Sequence, residues 1–82
     1  QGEPARAIPA LLAAVARDPQ RATYRQNLGY AYHLQGDLQK AMALYREALA
    51  LDARLGSAWI NLGNALAQTG RRAEAREAAR KA

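Results

Sequence analysis

The chain contains no Cys and no Phe, and only one Trp, one Met and one His among its 82 residues. Without Cys it can form neither a disulfide framework nor a thiolate zinc site, and composition leaves the redox compartment open. A single imidazole, His33, with no carboxylate next to it in sequence makes a poor metal site. Long apolar runs are missing as well. The longest, Ile8 to Ala16 (IPALLAAVA), is interrupted by Pro9, and a bilayer-spanning helix needs about 20 apolar residues. The opening stretch, QGEPARAIP, has no signal-peptide design. Acidic residues are the minority charge, seven against twelve Lys and Arg, for a formal net charge of +5. Five basic and two acidic residues fall between Arg71 and Ala82, so most of the excess sits in the last segment. A solvated helix face accounts for it more simply than a nucleic-acid site. Arg outnumbers Lys ten to two and Ala is abundant, which points to a GC-rich bacterial genome; a soluble segment is the expectation, with the compartment, bacterial cytoplasm or periplasm, left open.

What is present is a repeat. Residues 27–37 read NLGYAYHLQGD, and residues 61–71 read NLGNALAQTGR. Segments 22–48 and 56–82 agree at eight of 27 positions. Gly2, Gly36 and Gly70 fall in register, as do Ala7, Ala41 and Ala75, and Asp18 with Asp52. A fixed period of 34 residues signals a stack of supersecondary units.

Each unit reads as two helices. Tyr24, Leu28 and Tyr32 recur at a spacing of four, making one face. Gly36 tolerates the positive φ that ends a helix, and Asp37 is placed to cap the next. Leu38, Ala41, Met42, Tyr45, Ala48 and Leu49 then form a broad helical stripe. The last unit repeats the plan with Ala58, Trp59, Leu62 and Leu66, a Gly70 turn, and Ala75, Ala78, Ala79 and Ala82. Gly29 and Gly63 lie on the apolar side of their helices. Gly inside a helix costs roughly 1 kcal/mol against Ala, so two in register imply close helix approach, with Ala41 and Ala75 facing them. Pro9 removes a backbone donor and is expected to bend the first helix.

These residues resemble the tetratricopeptide repeat, whose signature is W-x2-L-G-x2-Y, then A-x3-F, then a late Pro. The last unit matches through Trp59, Leu62, Gly63, Leu66 and Ala75, and the middle unit through Leu28, Gly29, Tyr32, Ala41, Tyr45 and Ala48. Arg25 departs from the Trp position, Ala53 from the Pro that the first segment has as Pro19, and Ala79 from the bulky residue represented by Tyr45. Each departure is expected to loosen local packing.

The resemblance implies an all-α, right-handed α-solenoid of about two and a half repeats. Residues 1–21 would be the second helix of an incomplete repeat, with a turn at Gln1–Gly2. Residues 22–55 would form a complete helix-turn-helix unit, and 56–82 a last unit truncated in its second helix. Trp59 is expected between the last two helices and the one before them. Arg72, Arg76 and Arg80 replace apolar groups or add charge on the last helix, as expected of a polar cap or a basic patch for an acidic partner.

No catalytic constellation assembles. Thr23, Ser57 and Thr69 have helix-start or turn roles, no GxxxxGK[ST] loop occurs, and Glu77 is expected to pair with Lys81 at i,i+4. The chain therefore reads as a non-enzymatic protein-interaction scaffold with no cofactor. In arrays of this kind the first helices line a concave groove. Here the stripes left over from core duty are Thr23, Gln26, Tyr30 and His33, then Ser57, Ile60, Asn64 and Ala67. The expected groove residues are Gln26, Tyr30, His33, Ile60 and Asn64. Some family members clamp a partner's C-terminal carboxylate with Lys, Arg and Asn, but the matching Lys and Arg are absent here. The alternative functions are a regulatory or targeting array of a larger enzyme or secretion protein and, less favoured, nucleic-acid or acidic-partner binding through the basic last helix. Self-association through the orphan first helix is a further expectation.

Overall fold

The computed structural model describes residues 4–82, with side chains from residue 6 onward; the expected Gln1–Gly2 turn lies outside them. Five helices run in order: α1 (Pro4–Arg17), α2 (Ala22–Leu34), α3 (Leu38–Leu51), α4 (Gly56–Gln68) and α5 (Arg72–Lys81). Each packs against its neighbour in sequence, and α2 also touches α4. This is a layered α-solenoid. α1 runs through Pro9 without interruption, so the expected bend does not break the helix.

Two kinds of turn alternate, and each has a local cause. Between α2 and α3, Gly36 takes φ 90°, its N–H donates to the His33 carbonyl, and the Asp37 N–H donates to the Tyr32 carbonyl. Between α4 and α5, Gly70 takes φ 83°, with the matching bonds to Ala67 and Leu66. Both are Schellman caps, in which only a residue without Cβ is comfortable. Asp37 then accepts from the Lys40 N–H through its carboxylate, capping α3. Its counterpart before α5, Arg71, makes no side-chain cap.

The turns that lead from α1 to α2 and from α3 to α4 use no glycine. In both, an N–H returns to the carbonyl of the register-matched aspartate: Arg21 to Asp18 and Leu55 to Asp52. The Trp59 indole N–H donates to the Ala53 carbonyl at 2.8 Å. One repeat earlier, the Arg25 guanidinium donates to the Pro19 carbonyl at 2.9 Å. The pairs are 34 residues apart at both ends, so Arg25 keeps the donor role of the Trp it replaces. The turn carbonyl therefore keeps a side-chain donor despite the departure from Trp.

The same exchange reaches α3 and α5. Arg25 pairs with Glu47 at 3.2 Å, whereas Trp59 has the Lys81 ammonium 5.3 Å above its ring. Glu47 and Lys81 are again 34 residues apart, so an ion pair and a cation–π contact occupy one structural slot. Lys81 is thereby drawn to Trp59, and Glu77 pairs with Arg80 instead. Exposed pairs of either kind contribute roughly 0.2–1 kcal/mol. Glu47→Lys alone should therefore destabilise the chain by roughly 0.5–1 kcal/mol through loss of the ion pair and repulsion from Arg25. Adding Arg25→Trp should recover most of that in urea unfolding, because the pair then matches Trp59 and Lys81. A double variant no more stable than Glu47→Lys would show the two positions to be uncoupled.

The core centres on α3. Ala41, Met42, Tyr45, Ala48 and Leu49 are buried there, with Ala58, Leu62, Ala65 and Leu66 from α4 and Ala22 from α2. α5 contributes only Ala78 as a buried residue. Trp59 is half-buried against this cluster and reaches the α3–α4 turn and the end of α5.

Candidate functional site: the face carried by α2 and α4

α2 and α4 are the first helices of two consecutive pairs and touch directly. The Ser57 hydroxyl donates to the Gln26 side-chain carbonyl across 2.9 Å. Ser57 thus ties the two helices together, and Gln26 spends its acceptor on that bond. Leu28, Gly29 and Ala31 of α2, with Leu62, Gly63, Ala65 and Leu66 of α4, are turned into the fold. Residues offset from them by helical geometry remain outside.

Tyr30 is 46% exposed and Ile60 53% exposed, large groups with no core duty. Asn64 is also exposed. Leu34, 55% exposed, lies one turn beyond Tyr30 on the same face of α2 and was not among the expected groove residues. The signal that could have found it is the i+4 step Gln26–Tyr30–Leu34, extended by one term.

His33 is half-buried. Its ring lies between Tyr30, 6.1 Å away centroid to centroid, and Tyr45, 6.2 Å away, each at an interplanar tilt of 55°. The His33 Nδ1 is 3.1 Å from the Tyr45 hydroxyl oxygen. Tyr45 is fully buried, and burial, with a smaller contribution from Tyr30, pushes its ionisation far above the ordinary tyrosine range. The hydroxyl stays protonated and is available as a donor.

Ile60 and Asn64 open onto a cleft of about 300 Å³, lined also by Gly63, Ala67, Ala75, Arg76, Ala79 and Ala82. The structure thus brings one member of the basic set, Arg76, to the same opening as two groove residues. Arg80 is engaged by Glu77, and Arg72 is exposed at the start of α5. Among the described residues, no three His, Cys, Asp or Glu side chains gather in a way that could hold a metal ion. Among the described residues, no helix is long and apolar enough to cross a membrane.

Stacked antiparallel helix pairs with a 34-residue period, glycine-terminated first helices and a small-residue contact within each pair define a helical-repeat protein. Family comparison agrees: tetratricopeptide repeat models match residues 1–55 and 32–82. The chain belongs to the tetratricopeptide repeat family. No curated protein matches it by sequence. Among solved structures it is similar to MamA, with 28% identity and a TM-score of 0.89 over 95% of this chain and 46% of that one. It is also similar to the second TPR of Spaghetti (RPAP3) bound to the HSP90 peptide SRMEEVD, with 25% identity and a TM-score of 0.93 over 98% of this chain and 74% of that one. A second MamA structure, MSR-1 C2, shares the fold at a TM-score of 0.86.

Proposed function

We propose that this chain is a protein-interaction scaffold that receives a peptide or partner segment along the face of α2 and α4. The observation that carries the reading is the exposure of Tyr30, Leu34 and Ile60 on adjacent first helices whose Leu28, Leu62 and Leu66 are buried. An exposed aromatic and an aliphatic beside polar groups is the mixture that recognition surfaces favour. Gln26, His33 and Asn64 supply the polar groups, and a short extended or helical segment suits the shape. The similar Spaghetti domain holds a peptide. That peptide is acidic, whereas the expected groove residues of α2 and α4 here include no Lys or Arg, and the one Arg of α2, Arg25, is committed to Pro19 and Glu47. A tail clamp of the carboxylate-gripping type is therefore not part of the proposal. The reading assigns the chain no catalysis. Since the chain spans 46% of the MamA structure it resembles, a regulatory or targeting role within a longer protein is the alternative.

The test is selection of a displayed random-peptide library on the wild-type chain. Peptides that enrich should lose about tenfold or more in affinity to Tyr30→Ala and to Ile60→Ser, as expected for central apolar contacts. Circular dichroism of both variants should stay helical. Arg72→Glu with Arg76→Glu should change affinity much less. If loss is confined to that arginine pair, the site moves to α5 and the partner is acidic.

A further inference from the structure

We infer that Tyr45 fixes the tautomer of His33, so that the groove presents a single N–H donor at His33 Nε2 for a carbonyl or carboxylate oxygen of the partner. The inference rests on the groove reading above and assigns the polarity of one contact within it.

The argument is an accounting of donors. Tyr45 is fully buried, and the only hydrogen-bonding group described near its hydroxyl is His33 Nδ1, at 3.1 Å. A neutral imidazole carries one proton, on either Nδ1 or Nε2. With the proton on Nδ1, His33 would donate to the tyrosine oxygen and the Tyr45 O–H would have no acceptor. A buried donor left unmet loses its hydration with nothing in return. With the proton on Nε2, the Tyr45 O–H donates to Nδ1 and every buried donor is met. The second arrangement wins.

The Nε2 side has an outlet. No buried side-chain nitrogen or oxygen in the described structure is without a partner, and Nε2 makes no described hydrogen bond. Nε2 therefore reaches solvent. Its neighbour on α2 is the exposed ring of Tyr30. The pair offers an aromatic surface with a directed N–H beside it. In the last repeat the same positions carry Asn64 and Ala67, with Ala79 in place of Tyr45, so the device occurs once in the two matched repeats.

Because His33 is the only histidine, its ring nitrogens can be followed without assignment ambiguity. Long-range ¹H–¹⁵N correlation spectra of the intact chain at about pH 8.5, where ordinary imidazole is neutral, should give an unprotonated Nδ1 and a protonated Nε2. Tyr45→Phe, checked for retained helicity, should shift the Nδ1 resonance toward that of a tautomer mixture. A wild-type Nδ1 that carries the proton overturns the inference, whether or not Tyr45→Phe folds. So does an Nδ1 resonance unchanged in folded Tyr45→Phe.

The acceptor class is read by titrating the same chain with sodium acetate or with N-methylacetamide, against matched sodium chloride. A saturable shift of Nε2 and of the Tyr30 ring protons with acetate identifies a carboxylate, and with N-methylacetamide a backbone carbonyl. No response to either removes the donor subsite. Peptide selection on Tyr30 and Ile60 then judges the groove independently.

Discussion

Tyr45→Ala should cost about 3–5 kcal/mol, the usual range for a large buried aromatic. The ring is fully buried, lies against Gly29 and carries the hydrogen bond to His33. It also stands in α3, the helix that both α2 and α4 use as a wall. For a chain of this length each kcal/mol corresponds to roughly 4–8 °C in Tm, so Tm should fall by roughly 12–40 °C. Trp59→Ala should cost less despite the larger side chain, because Trp59 is only half-buried. Urea unfolding of both variants, monitored by far-UV circular dichroism, checks the order. If Trp59→Ala is the more damaging change, the core does not centre on α3.

The second large effect separates two glycines that the sequence presents as equivalents. A Cβ on Gly29 would lie 2.9 Å from Tyr45 Cε1, 3.0 Å from Cδ1 and 3.1 Å from the Ala41 carbonyl oxygen. The ring is enclosed and the carbonyl is backbone, so neither yields cheaply. Overpacking of this kind costs typically 1–3 kcal/mol, more than the roughly 1 kcal/mol that Ala regains in helix propensity. Gly29→Ala should therefore destabilise. A Cβ on Gly63 would meet the Ala75 carbonyl oxygen at 3.4 Å and the Ala78 Cβ at 3.6 Å, at or near ordinary contact. Gly63→Ala should be neutral or stabilising by up to about 1 kcal/mol. The difference is traced to Ala79, which leaves open the space that Tyr45 fills one repeat earlier. Gly29→Ala placed on Tyr45→Ala should then cost less than in the wild type, with the Ala41 carbonyl the remaining close contact, a non-additivity readable in a double-mutant cycle. Full additivity would mean that Tyr45 is not what Gly29 accommodates.

These cases show how much of the fold was legible in the residues. Gly36 and Gly70 announce their turns because positive φ is a local requirement, met without reference to the rest of the molecule. The stripe from Ala41 to Leu49 announces the core because helical periodicity is set by 3.6 residues per turn. The exposure of Tyr30 and Ile60 followed from the same periodicity. Contacts spanning separate helices gave no such signal. Ser57 to Gln26 crosses 31 residues and His33 to Tyr45 crosses 12, and no local spacing encodes either. The Arg25 substitution read as a loss because its residue type differs from Trp, while the carbonyl it serves lies in the preceding turn. Glu77 with Lys81 looked like a pair because they stand four apart; the Trp59 ring, on another helix, takes the lysine instead.

By itself the sequence determined the 34-residue period, the helix pairs, their turns and the small residues that bring each pair together, all of which depend on backbone conformation and on neighbours one turn away. Only the tertiary structure decided which of two identical glycines is crowded, which side chain serves the turn carbonyl in each repeat, and which nitrogen of His33 is left to face solvent. Those outcomes depend on distances between helices, and a distance between helices is set by every side chain packed between them.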